Sequence, residues 1–493
     1  MEFFKFALGK ILGFLLIACS AVLLGCLWQL QLLPGTLFIA VGVLLAMLTA
    51  LVVLLTWSGN GKVRMSIGIV LAVLLLAVLS VGVIYVWQAL ATIDNITAGN
   101  TETVHVGVYV RDDDTRSFDD STAAGYQYGI LQTIDRESTN GALQQLNEKL
   151  SAQVSCREYV RLPELVDALL GGEVDAIILN QAFLDMLADM PGYEEKLSKI
   201  REAVLQKVEV TIDPPPEPTD PTTGEDKPVI DVPKSKAFIV YISGIDTYGK
   251  VATRSRSDVN ILAVVNPNIR QVLLVSTPRD FFVPLSISNG IRDKLTHAGI
   301  YGVNVSKETL NMLYGINIDY HFRVNFSGFE KIIDALDGVT VYSDYSFSTL
   351  TGYHFQKGIN RLNGKAALAF SRERNAFGDG DHQRGRNQMA MIKAMIDKML
   401  SPTLLTNYTQ ILKAVEGSFE MSIPMDVIGD LVSKQLTEGG SWNVVNYSVS
   451  GSGGFETTYS AAEELWVMYP DLKTVDHAKQ LIQGVLEGKI VTP

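Results

Sequence analysis

Charge is distributed so unevenly along this chain of 493 residues that its first 92 residues require a different environment from the rest. Only five of the charged residues lie in that stretch, and residues 11–61 contain none. As one helix, this uncharged run would extend about 76 Å, more than twice the hydrocarbon thickness of about 30 Å. The run must therefore fold back, and Pro34-Gly35 is the natural break. The pattern excludes a wholly cytosolic enzyme, and the long polar remainder excludes a polytopic transporter.

The apolar region predicts three membrane-spanning helices, at about 9–32, 36–57 and 66–90. Four basic residues flank them on one side of the membrane, namely Lys5, Lys10, Lys62 and Arg64. The positive-inside rule then places the N-terminus in the cytoplasm and the chain from about residue 93 onward outside the cell. A cleaved signal peptide is the alternative for the first helix, but no small-residue cleavage site precedes the second apolar run. The expected location is the plasma membrane.

The polar remainder carries 37 basic and 52 acidic residues, a net charge of −15. Such a body is unsuited to non-specific nucleic-acid binding, so no nucleic acid is expected as a partner. Cys156 is the single cysteine in this part, which excludes an intramolecular disulfide there.

Residues 213–236 contain seven prolines among polar residues, which predicts an extended connector between two domains. Strands and helices alternate on both sides of it, so an α/β fold is predicted for residues 93–212 and again for 237–493. In the first domain we predict strands at 103–110 and 176–179 and helices at 141–150, 162–170 and 193–207. In the second we predict strands at 237–243, 259–265, 271–276 and 339–342, and helices at 306–314 with Ser306 as N-cap, 329–336 and 385–400.

Arginines cluster at predicted strand ends and helix starts of the second domain, in the runs 253–258, 276–280, 370–375 and 381–388. Ligands of open α/β sheets bind at the carboxyl ends of strands, where Asp246 and Arg279 are predicted to lie. Guanidinium groups match phosphate oxygens, and Arg384 and Gln388 share one helix face. Four arginines lie within fifteen residues: Arg372, Arg374, Arg384 and Arg386. Two interpretations stay open, a surface salt-bridge network and a site for a multiply charged anion.

Asp246 and Asp258 have two interpretations as well, because Mg²⁺ takes one or two carboxylates plus substrate phosphates, and aspartates also serve as N-caps and turn residues. Four apolar stretches favour core packing, although a slot for a lipid tail would look the same; they are 261–265, 281–285, 300–303 and 310–314. The sequence lacks a Gly-Lys-Ser/Thr phosphate loop and any paired His or Cys-x-x-Cys spacing for a metal.

Residues 237–400 resemble the extracellular catalytic domain of the LytR–CpsA–Psr family. Seven stretches in this order carry the resemblance: GID at 244–246, RSD at 256–258, TPRD at 277–280, DKLTHA at 293–298, YHFRVNFSGFEKIIDALDGVTV at 320–341, LNGKAALAFSRER at 362–374 and 381–388. The three spans and the extra α/β domain look like capsule-associated streptococcal members. The resemblance implies an α/β(α) catalytic domain with a central mixed sheet, beside a small accessory domain that we interpret as an interaction domain.

The resemblance implies a polyprenyl (undecaprenyl) pyrophosphate ligand, with its lipid in an apolar tunnel. It assigns the head group to Arg256, Arg279, Lys294, Arg372, Arg374, Arg384 and Gln388. Asp246 and Asp258 would hold Mg²⁺ (or Mn²⁺). The family often has Arg-Gln where this chain has Asn387-Gln388, and Arg386 is a possible substitute for the missing contact.

The implied reaction is a magnesium-dependent phosphotransfer that attaches a lipid-linked glycopolymer, capsular polysaccharide or a teichoic-acid-like polymer, to peptidoglycan. Arg279 would stabilise developing charge, and Asp258 or Asp280 would act as the base. Other capsule-assembly proteins are possible partners. Two alternatives use the same ligand without an acceptor: a polyprenyl-phosphate-binding regulator of transcription and a lipid pyrophosphatase.

Overall fold

The computed structural model describes residues 2–30, 35–57, 62–96, 101–116, 118–188, 190, 192–211, 237–245, 254–378, 380–400, 415 and 417–493. The chain divides into two compact units. The first contains Met1–Thr97, Met399–Glu416 and Ile423–Ser441. The second contains Ala98–Lys398, Gly417–Ser422 and Trp442–Pro493, and therefore both α/β regions. The predicted linker 213–236 lies outside the described residues, and the domain boundaries around it stay predictions.

Three apolar helices open the first unit: α1 (Glu2–Leu30), α2 (Gly35–Trp57) and α3 (Lys62–Ile96). Each is long and apolar enough to cross a membrane, with spans of 23, 20 and 25 residues in the described part of the chain. The Ser20 and Thr49 hydroxyls hydrogen-bond between α1 and α2 at 3.0 Å, as polar groups at helix contacts in lipid commonly do. The three predicted helices are confirmed, although α1 and α3 begin earlier than expected. Their orientation stays a prediction.

The first α/β region forms a five-stranded sheet with strand order β3-β2-β4-β1-β5. Its strands are β1 (Thr101–Arg111), β2 (Gln127–Leu131), β3 (Ser155–Tyr159), β4 (Ala176–Asn180) and β5 (Ile200–Thr211). Its helices are α4 (Asp120–Ala124), α5 (Arg136–Leu150), α6 (Leu162–Leu170), α7 (Gln181–Ala188) and α8 (Tyr193–Leu197). β2 runs parallel to β3 and β4, whereas β1 runs antiparallel to β4 and β5, so the sheet is mixed.

The predicted helix at 193–207 is wrong. Only α8 is helical, and β5 begins at Ile200 and pairs with β1 along its whole length. Gln206, Val208 and Val210 are buried at even spacing, and Leu205, Lys207 and Glu209 alternate with them and are exposed. This period of two fits a half-buried strand, and it outweighs the helical charge pattern of residues 193–199.

The second α/β region is built on a six-stranded mixed sheet with strand order β16-β11-β6-β7-β8-β17. The strands of this region are β6 (Phe238–Ile245), β7 (Ser257–Asn266), β8 (Gln271–Ser276), β9 (Phe282–Pro284), β10 (Arg292–Lys294), β11 (Tyr320–Asn325), β12 (Val339–Ser343), β13 (Phe347–Ser348), β14 (His354–Phe355), β15 (Gly358–Leu362), β16 (Phe419–Met421), β17 (Asn443–Ser448), β18 (Gly451–Thr457) and β19 (Glu464–Pro470). β7 is antiparallel to both of its neighbours, β6 and β8, while β6 is parallel to β11 and β8 to β17. The central mixed sheet and the α/β class are therefore confirmed.

The helices of this part are a 3₁₀ helix (Leu295–Tyr301), α9 (Val303–Tyr314), α10 (Phe326–Ala335), α11 (Gly364–Arg372), α12 (Gly380–Met399) and α14 (Leu472–Leu486), and the first unit adds α13 (Met425–Glu438). The predicted helices at 306–314, 329–336 and 385–400 lie within α9, α10 and α12 apart from terminal residues.

The prediction that Ser306 is the N-cap of α9 is wrong, because α9 begins at Val303 after Gly302 and Ser306 is buried inside the helix. The backbone of Gly302 has φ 114°, which favours glycine over serine.

The main core of the second region lies between the central sheet and α9 and α14. Leu262, Phe281, Val303 and Leu310 belong to this buried cluster. Each comes from one of the four apolar stretches whose role the sequence left open. The structure thus uses all four stretches in core packing, which was the favoured interpretation.

Candidate functional site

One edge of the central sheet collects the ends of β6 and β8 and the start of β7. Because β7 runs antiparallel to both neighbours, Ser257 pairs with Ile245 at the end of β6, and Ile261 pairs with Ser276 at the end of β8. Asp258, the second residue of β7, therefore arrives at the same edge as Arg279, which follows β8. The sequence predicts charged residues at strand ends, and this strand pairing brings Asp258 and Arg279 to the same edge of the sheet.

Asp258 is the centre of the contacts at this edge. Its Oδ1 accepts hydrogen bonds from Arg279 Nη1 at 3.0 Å and from Thr296 Oγ1 at 3.1 Å. Thr296 belongs to the 3₁₀ helix, and its backbone N–H donates to the carbonyl oxygen of Arg279 at 2.8 Å. The aspartate, the arginine and the threonine thus hold one another in place. Both described hydrogen bonds of the carboxylate go to Oδ1.

Asp280 extends the cluster on the other side of Arg279. Arg279 Nε lies 3.5 Å from Asp280 Oδ2, and Lys294 Nζ lies 3.2 Å from Asp280 Oδ1. Asp280 and Lys294 are buried, with 6% and 8% of their surface exposed. Pairs at this depth interact more strongly than surface pairs because solvent screens them less.

The ionisation of Asp258 reflects its surroundings. Burial alone would raise the pKa of this carboxyl, but the nearby charges of Arg279, Arg256 and Arg384 outweigh burial and keep the pKa below its usual range. Asp258 is therefore ionised at neutral pH. Together with Asp280 and Lys294, these residues supply four cations and two carboxylates. The excess of two positive charges among these six residues suits a multiply charged anion.

Arg384 reaches this cluster from α12 because the helix approaches the sheet closely at Gly385. A Cβ atom at position 385 would lie 3.0 Å from Ser276 Oγ, at the end of β8. Gln388 follows one turn later on the helix face of Arg384. Arg386 lies off that face, where its guanidinium donates to Gln383 Oε1 at 2.6 and 2.8 Å. The predicted substitution of Arg386 for a family contact stays a prediction.

Arg372 and Arg374 lie at the end of α11, and both are exposed. The guanidinium carbon of Arg372 stands 4.1 Å from the centroid of the Phe326 ring, a cation–π contact with the first residue of α10. The buried Glu373 between them caps the following turn by accepting from the backbone N–H of Ala376 at 2.9 Å. The contacts described so far join Asp258, Arg279, Asp280, Lys294 and Thr296; a common site with Arg372, Arg374 and Gln388 stays a prediction.

The predicted metal site is described only in part. Asp246 lies outside the described residues, and the described ones contain no cluster of three or more His, Cys, Asp or Glu side chains able to hold a metal. Asp258 fits the chemistry of a hard cation, since Mg²⁺ is bound through one or two carboxylates plus substrate phosphates. The donor set in hand therefore suits a cation that arrives with a phosphate ligand.

Sequence reasoning missed the polar layer beneath Asp258. The Ser257 hydroxyl lies 2.7 Å from that of Ser243 and 2.8 Å from that of Tyr241, and Tyr241 also donates to Asn260 Oδ1 at 2.6 Å. Burial raises the pKa of Tyr241, so it remains a neutral donor. Tyr241 and Ser243 are alternate residues of β6, and Ser257 and Asn260 lie three residues apart on β7, so no single sequence pattern marks the four together.

Thr296 was also missed as a site residue, although it stands inside the DKLTHA stretch. In the same stretch, Asp293 accepts hydrogen bonds from the ring nitrogen Nδ1 of His297 at 2.6 Å and from the backbone N–H of Ser460 at 2.8 Å. The histidine is assigned as the donor because a carboxylate can only accept. Asp293 is fully buried. This part of the motif therefore fixes the 3₁₀ helix that carries Thr296.

Comparisons with known proteins bear on the family of this chain. The sequence profile of the LytR_cpsA_psr family matches residues 206–476, more than half of the chain. The polyisoprenyl-teichoic acid–peptidoglycan teichoic acid transferase TagU of Bacillus mycoides is 31% identical over 260 residues, which are 52% of this chain and 81% of that protein. TagU of Bacillus subtilis is 31% identical over 238 residues, 48% of this chain and 76% of the relative. The crystal structure of B. subtilis TagU matches at 27% identity with a TM-score of 0.41, covering 52% of this chain and 100% of that one. The profile match and the TagU sequences show that the chain is a member of the LytR_cpsA_psr family.

Proposed function

We propose that this protein is a phosphotransferase that moves a glycopolymer from a polyprenyl pyrophosphate carrier to peptidoglycan. Its relatives named TagU are teichoic acid transferases that use a polyisoprenyl-linked donor and peptidoglycan. The observation that carries the proposal is the cluster in which four cations surround Asp258 and Asp280 at the carboxyl edge of the central sheet. Such a cluster suits the pyrophosphate of the donor.

In the proposed reaction, a sugar hydroxyl of the cell wall attacks the phosphorus that carries the glycopolymer. A new oxygen–phosphorus bond forms, the bond from that phosphorus to the bridging oxygen breaks, and polyprenyl phosphate leaves with the bridging oxygen. Arg256, Arg279 and Arg384 would bind the phosphate oxygens and stabilise the charge that builds up on them. Positioned cations supply most of the catalysis in phosphoryl transfer.

The hydroxyl proton must pass to a base, and Asp258 and Asp280 are the two candidates. The three arginines that lower the pKa of Asp258 make it a weak proton acceptor, which suits a role in holding Arg279 and a cation. Asp280 is likewise paired with two cations, Lys294 Nζ at 3.2 Å and Arg279 Nε at 3.5 Å, and a proton taken by Asp280 would leave them without that carboxylate. Asp258 and Asp280 therefore both stay candidates for the base.

A divalent cation, Mg²⁺ or Mn²⁺, is the proposed cofactor, and Asp258 would hold it together with Asp246. When bound, such an ion supplies additional neutralisation of phosphate charge. The chain's own contribution is independent of it: Arg279 and Thr296 fix the orientation of the Asp258 carboxylate before any ligand binds.

The placement of the second unit outside the cell is part of the proposal. It is supported by the four basic residues that flank the apolar helices on the predicted cytoplasmic side. Both proposed substrates are reached from the outer side of the membrane. A capsular polysaccharide is the proposed polymer, and the support for it is the resemblance of the three spans and the extra α/β domain to capsule-associated members.

The test measures polymer covalently bound to the cell wall in cells that carry Arg279→Ala. We expect at least a tenfold loss of wall-bound polymer at unchanged protein level. Arg361→Ala is the control, because the Arg361 side chain is 74% exposed and its described ion pair, at 3.2 Å, is with the exposed Asp337. Purified protein is then incubated with lipid-linked polymer, with and without wall fragments. Undiminished attachment in cells would refute the proposal, and acceptor-independent phosphate release would identify a pyrophosphatase instead.

A further inference from the structure

Glu102 is a buried acidic residue on β1, the first strand after the apolar helices, and it contacts the second α/β region. Its carboxylate pairs with the buried Arg323 on β11 and accepts from Arg254 Nε at 2.8 Å. It also lies 3.4 Å from the backbone N–H of Val303, at the start of α9. Only 1% of the Glu102 surface is exposed. One carboxylate of the first sheet thus faces two guanidinium groups and a helix start of the second region.

The first of these contacts leads to the phosphate cluster along the chain. Arg254 lies two residues before Arg256 and four before Asp258. Its backbone N–H also donates to the carbonyl oxygen of Thr103, next to Glu102, at 3.0 Å. The segment that enters the cluster is therefore attached to β1 through both its backbone and its side chain.

The other two contacts approach the same region from different elements. Val303 follows the 3₁₀ helix whose Thr296 donates to Asp258. Arg323 lies three residues before Phe326, whose ring contacts the guanidinium of Arg372. Along the chain, Arg254 therefore lies four residues before Asp258, Val303 lies seven residues after Thr296, and Arg323 lies three residues before the ring that contacts Arg372.

The partners of Glu102 are not equally dependent on it. Arg323 has a second carboxylate at hand, since Glu420 Oε2 lies 3.6 Å from its Nη1. The ion pair described for Arg254 is the one with Glu102. Removing the charge of Glu102 would take away the described ion-pair partner of the Arg254 guanidinium, whose side chain is 11% exposed. The Asp135 carboxylate also attracts Arg254, so we expect Arg254 to shift from its place against β1 once Glu102 is neutral.

We infer that Glu102 is a positioning residue for the pyrophosphate site, a role that rests on the proposed function. It acts through Arg254 and Arg323, which place Arg256, Asp258 and the start of α10, and it does not touch the substrate itself. The first α/β region is then part of the architecture of the site. This assignment goes beyond the interaction role inferred from the sequence.

The test compares two probes that differ only in the head group, geranylgeranyl pyrophosphate and geranylgeraniol, bound to the full-length protein in detergent. Glu102→Gln keeps the size of the side chain and removes its charge. We expect it to weaken binding of the pyrophosphate at least tenfold and to change binding of the alcohol by less than twofold. Glu209→Gln is the matched control, because Glu209 is exposed on β5 and pairs in register with Thr103.

Equal losses for both probes would show a general structural role and overturn the inference, and unchanged pyrophosphate binding would overturn it too. Should Glu102→Gln fail to fold, Glu102→Asp keeps the charge on a shorter side chain, and the same difference between probes is expected at smaller size; its absence again refutes the inference. A wild-type protein that binds both probes equally would instead refute the proposed pyrophosphate site. The two failures are therefore distinguishable.

Discussion

The two α/β regions of the second unit use charge in opposite ways. In the first region, ion pairs such as Arg157–Glu173 lie at the surface, with 56% and 53% of the side chains exposed. At the edge of the central sheet, the side chains of the Arg279–Asp258 pair are 18% and 16% exposed. Surface pairs contribute about 0–1 kcal/mol to folding, whereas buried ones require compensation for lost hydration. A cluster of several cations and carboxylates withdrawn from solvent at one strand edge therefore distinguishes the candidate site from these surface pairs of the first region.

The largest expected effect separates the two regions by activity. Arg279→Ala should reduce transfer of polymer to wall fragments at least 100-fold, because it removes a cation from the phosphate cluster. Arg157→Ala, in the first region, should change transfer by less than twofold. The measurement is initial rate with purified protein and lipid-linked polymer. Comparable losses for both variants would break the contrast.

The next effect concerns stability. Arg323→Met, at the buried pair where the regions meet, should lower the free energy of unfolding by about 3–5 kcal/mol, because it leaves two buried carboxylates, Glu102 and Glu420, without that cation. Glu173→Gln, at the surface pair, should cost less than about 0.5 kcal/mol. Chemical denaturation of the two variants measures both values. A surface pair that costs as much as the buried one would contradict the comparison.

Glycine-to-alanine substitutions sharpen the comparison at two helix–sheet contacts. Gly385→Ala would push α12 away from Ser276 and should reduce transfer about fivefold to tenfold with little loss of stability. Gly141→Ala, in α5, would bring a Cβ atom to 2.5 Å from Val208 Cγ1 and should cost about 1–3 kcal/mol of stability by overpacking. Its rate per folded molecule should be unchanged. Melting temperature and initial rate, measured on both variants, separate the two outcomes.

The smallest effect is a pH dependence in the first region. Burial raises the pKa of Asp135 to about 6, above its unfolded value of about 3.9. The folded state therefore binds the proton more tightly, so stability falls as pH rises from about 4 to 6. Asp135→Asn should remove this loss and gain about 1–2 kcal/mol more, relative to wild type, at pH 7.5 than at pH 4. Urea denaturation at both pH values checks the difference, and equal gains at both would refute it.

Local sequence patterns predicted much of the molecule because the signals are local. An uncharged run of membrane length indicates a span, and arginines and aspartates beside alternating apolar residues indicate strand ends at one sheet edge. Thr296 was not predicted as a site residue because nothing in the sequence around it distinguishes it from its neighbours. Glu102 was not predicted because its partner Arg323 lies 221 positions away, and a pair at that separation leaves no local sequence pattern.

The attachment of β1 to the segment before β7 has a consequence for dissecting the protein. The proline-rich stretch 213–236 looks like a natural boundary for a fragment that contains only residues 237–493. Such a fragment would lack Glu102 and the Thr103 carbonyl oxygen. The guanidinium groups of Arg254 and Arg323 would then have lost the Glu102 carboxylate. A fragment of residues 98–493 retains these contacts together with residues 399–416 and 423–441 of the first unit, and it is the smaller piece in which the second unit can be expected to work.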